Sequence, residues 1–308
     1  MIQAAGLPSI SVIIPNYNGE SVICDCLGSV YGTKYPLLEV VFVDDASNDN
    51  SISEVRKYFP KVKILKNRFN SGFARTVNAG IMASSGEILV LLNMDIILGA
   101  DCLCQLAKVL VEDKEVGIAG PKMLFPDGKT IQHAGGKIRP NGVSVHIGRG
   151  ELDSGQYDRV AEVDYLCGAV IALRRDLLRD LGCLDEGYRP MYYEDTDLAF
   201  RVRGKGYKVV YAHKAVALHK ENYSTNGLTR KFYYYYHKNR LRFVARNYGI
   251  KYLLTKFAGA EMEWLCDRHP KELFYGLMAA YAINIMTFPL LFMPRIPRDH
   301  VSGSGGRR

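Results

Sequence analysis

Two acidic clusters in this chain stand where a carboxylate can do chemistry. The first closes the apolar run Ile88 to Leu92, which is bounded by Gly86 and Gly99 and ends in Asn93-Met94-Asp95. A short, continuous apolar run of this kind reads as a buried strand of a parallel sheet. Ligands of open α/β sheets bind at the ends of such strands, so Asp95 is placed to hold a divalent cation against a diphosphate. A turn or helix cap is the simpler alternative, since aspartate favours both. The second cluster is Glu194-Asp195-Thr196-Asp197, three acids in four residues, followed by the helical pattern Leu198 to Arg203. Acids at a helix start gain from its dipole. However, Glu194 and Asp195 follow Met191, Tyr192 and Tyr193, an apolar approach that suits a partly desolvated general base. Asp197 is the next candidate for that role.

The elements that must carry these residues alternate regularly. Ile10 to Pro15 and Val40 to Val43 are β-rich runs stopped by Asn16-Tyr17-Asn18-Gly19 and Asp44-Asp45-Ala46-Ser47. Helices are expected at Val22 to Tyr31, Ser51 to Tyr58 and Ala74 to Ala83, with a third strand at Val62 to Leu65. This alternation predicts an α/β fold, a Rossmann-like, mostly parallel sheet flanked by helices on both faces. Its polar strand ends then gather along one edge. Further strands are expected at 117–124, at 163–169 and at Val209-Val210-Tyr211, the last leading to His213 and His219. Asp127-Gly128 reads as a hairpin turn. The glycine-rich stretch from Ile131 to Tyr157 reads as a mobile excursion near the site.

Together these stretches resemble the family-2 inverting glycosyltransferases of GT-A fold. The resemblance lies in Ser-Val-Ile-Ile-Pro-Asn-Tyr-Asn at 11–18, Val-Asp-Asp-Ala-Ser at 43–47 and Asn-Ser-Gly-Phe-Ala at 70–74. It continues in Leu-Leu-Asn-Met-Asp at 91–95, Glu-Asp at 194–195 and His219, and spans about residues 9 to 250. It is strongest to rhamnosyltransferase-like members that build surface polysaccharides. The family's metal motif is often Asp-x-Asp, whereas Asn93 stands at its first position here. The resemblance implies Asp95 and His219 as ligands of Mg²⁺ or Mn²⁺, and Asp195 as the base with Glu194 orienting or replacing it. It implies that Pro15, Asn16, Tyr17, Asp45, Asn70, Gly72, Arg75, Asn93 and Met94 hold the nucleotide-diphosphate sugar. Arg75 would meet phosphate or the Asp45 region, or be an ordinary helix-surface arginine. Acceptor specificity would be set in the excursion, with the 163–169 strand beneath the acceptor.

The implied reaction is transfer of a sugar, with inversion, to a hydroxyl of a glycan or lipid-linked acceptor. A cation stabilises the departing diphosphate and a carboxylate takes the hydroxyl proton. An imidazole ligand tilts the choice slightly toward Mn²⁺. A nucleotidyltransferase is an alternative, but Pro15 to Gly19 lacks the lysine of its phosphate loop. A non-catalytic, membrane-docked binding protein is another, with Asn93 marking a decayed metal site.

Composition bounds the rest. The chain has 308 residues, 48% of them hydrophobic, enough for a large core. Met1 to Pro8 lacks a basic, apolar leader pattern, and the seven cysteines lack zinc spacing. Reduced thiols in the cytosol are expected. The net charge of +8 is concentrated: from Asn222 to Ala260 there is no acid and there are eight bases, interleaved with aromatics. An uncharged run, Leu273 to Met293, follows, interrupted by Asn284, Thr287 and Pro289. This pattern suits an anionic membrane surface, with the run lying in the interface or forming a buried helix pair or oligomer contact. No nucleic-acid partner is expected. The expected organisation is a catalytic domain at 1–228, split into a nucleotide-sugar half at about 9–122 and an acceptor half at 123–228. A helical region at 229–300 and a flexible tail at 301–308 complete it. The expected location is cytoplasmic, peripheral or monotopic at the inner face of the cell membrane.

Overall fold

The structure, a computed structural model, describes residues 7–36, 39–220 and 229–287. The first half runs β1 (Ile10–Asn16), α1 (Ile23–Tyr31), β2 (Glu39–Asp44), α2 (Ser51–Tyr58), β3 (Lys63–Lys66), α3 (Phe73–Ala83) and β4 (Ile88–Leu92). It continues through β5 (Ile96–Leu98), α4 (Cys102–Glu112) and β6 (Val116–Leu124). Then come β7 (Ile131–His133), β8 (Gly136–Ile138), β9 (Ser144–His146), β10 (Ala161–Glu162), β11 (Val170–Arg174) and α5 (Leu177–Leu181). Next are α6 (Glu194–Gly204), β12 (Lys208–His219) and α7 (Arg230–Asn247). The described chain closes with α8 (Ile250–Tyr252), a π-helical turn (Leu253–Phe257), α9 (Ala258–Leu265) and α10 (Lys271–Met286).

The main sheet has the order β10-β12-β6-β11-β4-β1-β2-β3. Strands β3, β2, β1 and β4 are parallel, as are β6 and β12. β11 is inserted antiparallel between β4 and β6. Strand alternation explains the two-faced core. Ile10, Val12, Ile14, Val40, Phe42, Val90 and Leu92 meet α1, α2 and α4 on one side. Ile13, Leu89, Leu91, Ile171 and Leu173 meet α3, α5 and α6 on the other. The expected α/β sheet with helices on both faces is therefore present.

Three expectations change in detail. The strand placed at 163–169 instead begins at Val170, because Tyr165 and Leu166 are buried as loop side chains packed into the core. The excursion from Ile131 to Tyr157 is folded rather than loose: β8 pairs with β9, and β7 pairs with β6 beyond the Gly128 turn. Lys122 of β6 anchors its far end through Asp153, at 2.8 Å, and Asp158, at 2.5 Å.

The third concerns the basic stretch. Arg240 is fully buried, with Nη2 2.6 Å from Glu261 Oε1 and Nη1 donating to Glu261 Oε2 and to the Asn141 carbonyl. Breaking such a buried pair on one side leaves an uncompensated charge, a cost of about 3–5 kcal/mol. Arg242 and Arg246 face Asp185, and Lys238 donates to the Arg189 carbonyl. Four of the eight bases are thus interior or paired groups, while Arg230, Lys231, Lys251 and Lys256 are exposed. Aromatics of the stretch are interior as well: Phe243 and Tyr236 pack with Tyr188, Tyr193 and Phe200. One side of α10 (Leu273, Gly276, Leu277, Ala280 and Asn284) is buried. Gly276 lies against α7, where an added Cβ would come 2.8 Å from the Tyr233 Cβ. Among the described residues no helix is long and apolar enough to cross a membrane. The rest of the apolar run, 288–293, the start of the basic stretch, 222–228, and the tail, 301–308, lie outside the described residues.

Candidate active site

The carboxyl ends of β1, β2 and β4 open on one edge of the sheet, and the polar residues of the sequence motifs collect there. Beyond β4 the chain turns through Asn93 and Met94 into β5. That short strand pairs with the end of β12, setting Ile96 opposite His219. Asp95 and His219 are consequently neighbours, both buried, with Asp95 Oδ1 3.5 Å from His219 Nε2. Asp95 Oδ1 has no hydrogen-bond partner. His219 Nδ1 lies 2.7 Å from Gln132 Oε1 of β7. An amide oxygen only accepts, so Nδ1 carries a proton, and in the neutral ring Nε2 then presents its lone pair toward Asp95. A carboxylate oxygen and an imidazole lone pair facing each other across 3.5 Å fit a divalent cation. Among the described residues no group of three or more His, Cys, Asp or Glu side chains is placed to hold a metal ion. The described residues thus offer Asp95 and His219 here, and donor phosphate and water would complete the shell.

The second acidic cluster starts α6. Asp195 Oδ2 accepts from the Gly168 N–H at 2.7 Å, and Oδ1 accepts from the Thr196 N–H at 2.6 Å. Burial raises the Asp195 carboxyl above its ordinary range, and these donors pull it partly back. Burial, and then the charge of Asp195, holds Glu194 well above the carboxylate range, and its Oε2 has no partner. Of the two carboxyls, that of Glu194 is thus held further toward its neutral form. A side chain at Gly168 would bring its Cβ to 3.0 Å from the Asp195 Cβ, so glycine is needed for this approach. β11 leads to the same place: Val170 pairs with Leu92, and the Asn93 N–H donates to the Ala169 carbonyl at 2.9 Å. The metal-side turn and the base shelf are therefore one residue apart at Asn93, Ala169 and Gly168.

The approach to the base is strained. Tyr192 and Tyr193 both have positive φ, +80° and +74°, a conformation that costs bulky residues about 1–3 kcal/mol each and clusters at functional sites. Asn239 of α7 holds them, donating to the carbonyls of Met191, at 2.8 Å, and Tyr192, at 3.1 Å. Tyr193 Oη donates to the Gly142 carbonyl. Asp197, the reserve candidate, is not a base. It is fully buried and bonded to Arg201, at 2.8 Å, Tyr188, at 3.0 Å, and Asn247, at 2.9 Å.

The donor-side residues fall into two groups. Buried Asn16 donates to Asp44, Ser47 and Ser51, leaving its Oδ1 without a partner. Met94 lies beside it: a Cβ at Gly19 would meet Asn16 Oδ1 at 2.2 Å and the Met94 sulfur at 2.4 Å. Pro15 continues the β1–β2 pairing opposite Val43, Tyr17 is exposed, and Asn93 Oδ1 is buried without a partner. Asp45 organises the chain as well as facing the edge. Its Oδ1 accepts from Asn67 Nδ2 and the Ser71 N–H, and its Oδ2 from the Gly72 N–H. Asn70 and Arg75 are exposed, and the Arg75 guanidinium lies over the Phe69 ring, 5.7 Å from its centroid, rather than on Asp45. The expected Asp45 contact of Arg75 is therefore absent, because neutral donors already occupy that carboxylate. Sequence reading missed Gln132, Gly168 and Asn239, which act through neighbours far away in the chain.

This sheet, with the Asn93 to Asp95 turn and the Gly168–Asp195 contact at its strand ends, is the GT-A fold. Residues 11–182, more than half of the chain, match the family model described as "Glycosyl transferase family 2", and the chain belongs to that family. The match takes in Asp95 but ends before Glu194, Asp195 and His219. Among relatives, the O-antigen biosynthesis protein RfbC of Myxococcus xanthus is 26% identical over 229 residues, which is 71% of this chain and 18% of that protein. The chain spans between 18% and 28% of the length of three curated relatives it matches. GalNAc-T7, solved with UDP, GalNAc and Mn²⁺, has a TM-score of 0.66 at 18% identity, covering 92% of this chain and 58% of that one. The mannosyltransferase PcManGT of Pyrobaculum calidifontis, solved with GDP-Man and Mn²⁺, has a TM-score of 0.59 at 21% identity, covering 92% and 75%. At these identities the two structures share the fold with this chain.

Proposed function

We propose that this chain transfers a sugar, with inversion, from a nucleoside-diphosphate sugar to a hydroxyl of a glycan or lipid-linked acceptor in surface polysaccharide or glycolipid synthesis. A rhamnosyltransferase-like donor preference is the finer form of this reading. The observation that carries it is the half-buried Asp195, held by Gly168 and Thr196 beside the turn that bears Asp95. Asp95 Oδ1 and His219 Nε2 would hold Mn²⁺ or Mg²⁺, whose charge stabilises the diphosphate as it leaves. Asn16, Asp45 and the exposed Tyr17 and Asn70 line the edge where the nucleotide would lie. Asp195 takes the proton from the acceptor hydroxyl as its oxygen attacks the anomeric carbon on the face opposite the diphosphate. One displacement inverts that centre, and no covalent intermediate is required.

The test is incubation with UDP-, GDP- and dTDP-sugars, with and without Mn²⁺, following products and the melting transition. One donor class should raise the apparent stability only with metal, by about 2.7 kcal/mol at a hundredfold excess over Kd. It should release nucleoside diphosphate when a glycan or lipid-linked acceptor is added. Release of inorganic diphosphate would replace the reading with nucleotidyl transfer. Binding without any turnover across acceptors would replace it with a non-catalytic nucleotide-sugar-binding role.

The same reading places the protein in the cytoplasm, peripheral or monotopic at the inner membrane face. In support, Phe274, Tyr275, Met278, Ile285 and Met286 of α10 are exposed, as are Arg230, Lys231, Lys251, Lys256 and Lys271. Such a surface suits anionic headgroups. Sedimentation with phosphatidylserine vesicles should carry the chain into the pellet at low salt, and less of it at high salt. Retention in the supernatant at low salt would assign the α10 face to an oligomer or chain contact instead.

A further inference from the structure

Two histidines next to the base shelf, one buried and one half-buried, are not used by the reaction proposed above. His133, on β7, is fully buried, and its Nε2 accepts the Cys167 N–H at 3.2 Å. The next N–H along the chain, that of Gly168, donates to Asp195 Oδ2 at 2.7 Å. On its other side His133 Nδ1 lies 2.9 Å from His146 Nδ1 of β9. These contacts determine the tautomers. A backbone N–H can only donate, so His133 Nε2 is a lone pair and the proton sits on Nδ1. His133 Nδ1 then donates to His146 Nδ1, which places the His146 proton on its Nε2. Both rings are neutral, and His133 has a donor on one side and an acceptor on the other. Tyr165 closes the group, its ring 5.8 Å from His133 and 6.0 Å from His146. Burial, with His146 and Arg149 nearby, disfavours a charge on His133.

We infer that His133 is a positioning residue for the base: it fixes the Cys167–Gly168 backbone so that the Gly168 N–H stays directed at Asp195. His146 holds the His133 ring in the orientation this requires. The inference rests on the reading of Asp195 as the general base. β7 would then serve both ends of the site, Gln132 through His219 and His133 through Asp195, although it is three residues long.

The experiment compares His133→Leu, which removes the acceptor for Cys167, with His133→Gln, whose amide oxygen can still accept that N–H. The Asp195 carboxyl is titrated by ¹³C-aspartate NMR, its signal assigned by its loss in Asp195→Asn. The titratable groups that interact with it are Glu194 on its own helix and Tyr165 on the opposite segment. His133→Leu should move the Asp195 titration to higher pH, because a donor to the charged form is lost. It should lower kcat by up to about 10²-fold, the scale of a misplaced reacting group, while affinity for UDP or GDP with Mn²⁺ is kept. His133→Gln should restore most of both. If His133→Leu does not fold, His146→Phe, which removes only the acceptor of the Nδ1 proton, should give the same upward shift in smaller measure. An unshifted Asp195 titration in the folded variant overturns the inference. So does a His133→Gln protein that matches His133→Leu, since the effect would then be packing. A wild-type protein that transfers no sugar overturns the reaction, and the titration still decides the role of His133.

Discussion

Asp195→Asn should lower turnover by about 10² or more, the usual scale for a general base, while donor affinity stays at the wild-type level. The change keeps the shape and hydrogen-bonding size of the side chain and removes its proton affinity. The donor should not notice, because Asp195 bonds to Gly168 and Thr196 and serves the acceptor hydroxyl. Glu194→Gln should cost less, since burial and the neighbouring Asp195 charge push Glu194 toward the neutral form that glutamine imitates. The pH profile follows from the sign of the Asp195 shift. Its carboxyl is raised above the ordinary value of about 3.9, and only the ionised form accepts a proton. Activity should therefore rise through a limb displaced upward from that value, and Asp195→Asn should lose this limb. Turnover with the true acceptor and calorimetry with the donor check it. Near-normal turnover of Asp195→Asn beside a dead Glu194→Gln would transfer the role to Glu194. Loss of donor binding in both would make the pair structural.

Asp95→Ala should remove metal-dependent donor binding and leave the fold intact. The side chain faces His219, and its Oδ1 is buried without a hydrogen-bond partner, so its removal strands no donor at that oxygen. With two ligands from the chain, losing one should weaken metal-linked binding by at least about 10²-fold, the upper end of what an outer-shell partner is worth. Asn93→Asp should tighten it, because a second carboxylate would replace an amide oxygen that is buried and unpartnered. Calorimetry of UDP or GDP binding with and without Mn²⁺ reads both. Equal activity of Asp95→Ala and wild type with metal in excess would end the idea that this carboxylate holds a cation.

The parallel core was legible because each strand is a short apolar run with helical periodicity between runs. What sequence could not show was pairing across long separations. β5 is three residues, Ile96 to Leu98, with no strand signature of its own, yet its pairing with β12 is what delivers His219 to Asp95. Asp197 reads like its acidic neighbours, but on a helix it points 200° from Asp195, toward Arg201 one turn on. The stretch at 163–169 looks like a strand because Tyr165 and Leu166 are apolar, and burial alone does not distinguish a strand from a packed loop. The basic-aromatic stretch hid its function for a similar reason. Charge in a sequence does not reveal that Arg240 will meet Glu261 inside the protein.

The clamp that α7 places on Met191 and Tyr192 bears on how the enzyme comes into being. A chain emerging from the ribosome folds from its N-terminus, so the sheet, Asp95 and the residues of the base shelf exist before Asn239 has been made. Until α7 docks, nothing from that helix holds the two left-handed tyrosines, and the Arg240 charge that pairs with Glu261 is not yet in place. A nascent chain made as far as β12 would already possess its donor-side edge while lacking the helix that holds the approach to Asp195. Competence at this site would thus wait for α7, which follows the whole sheet in the chain.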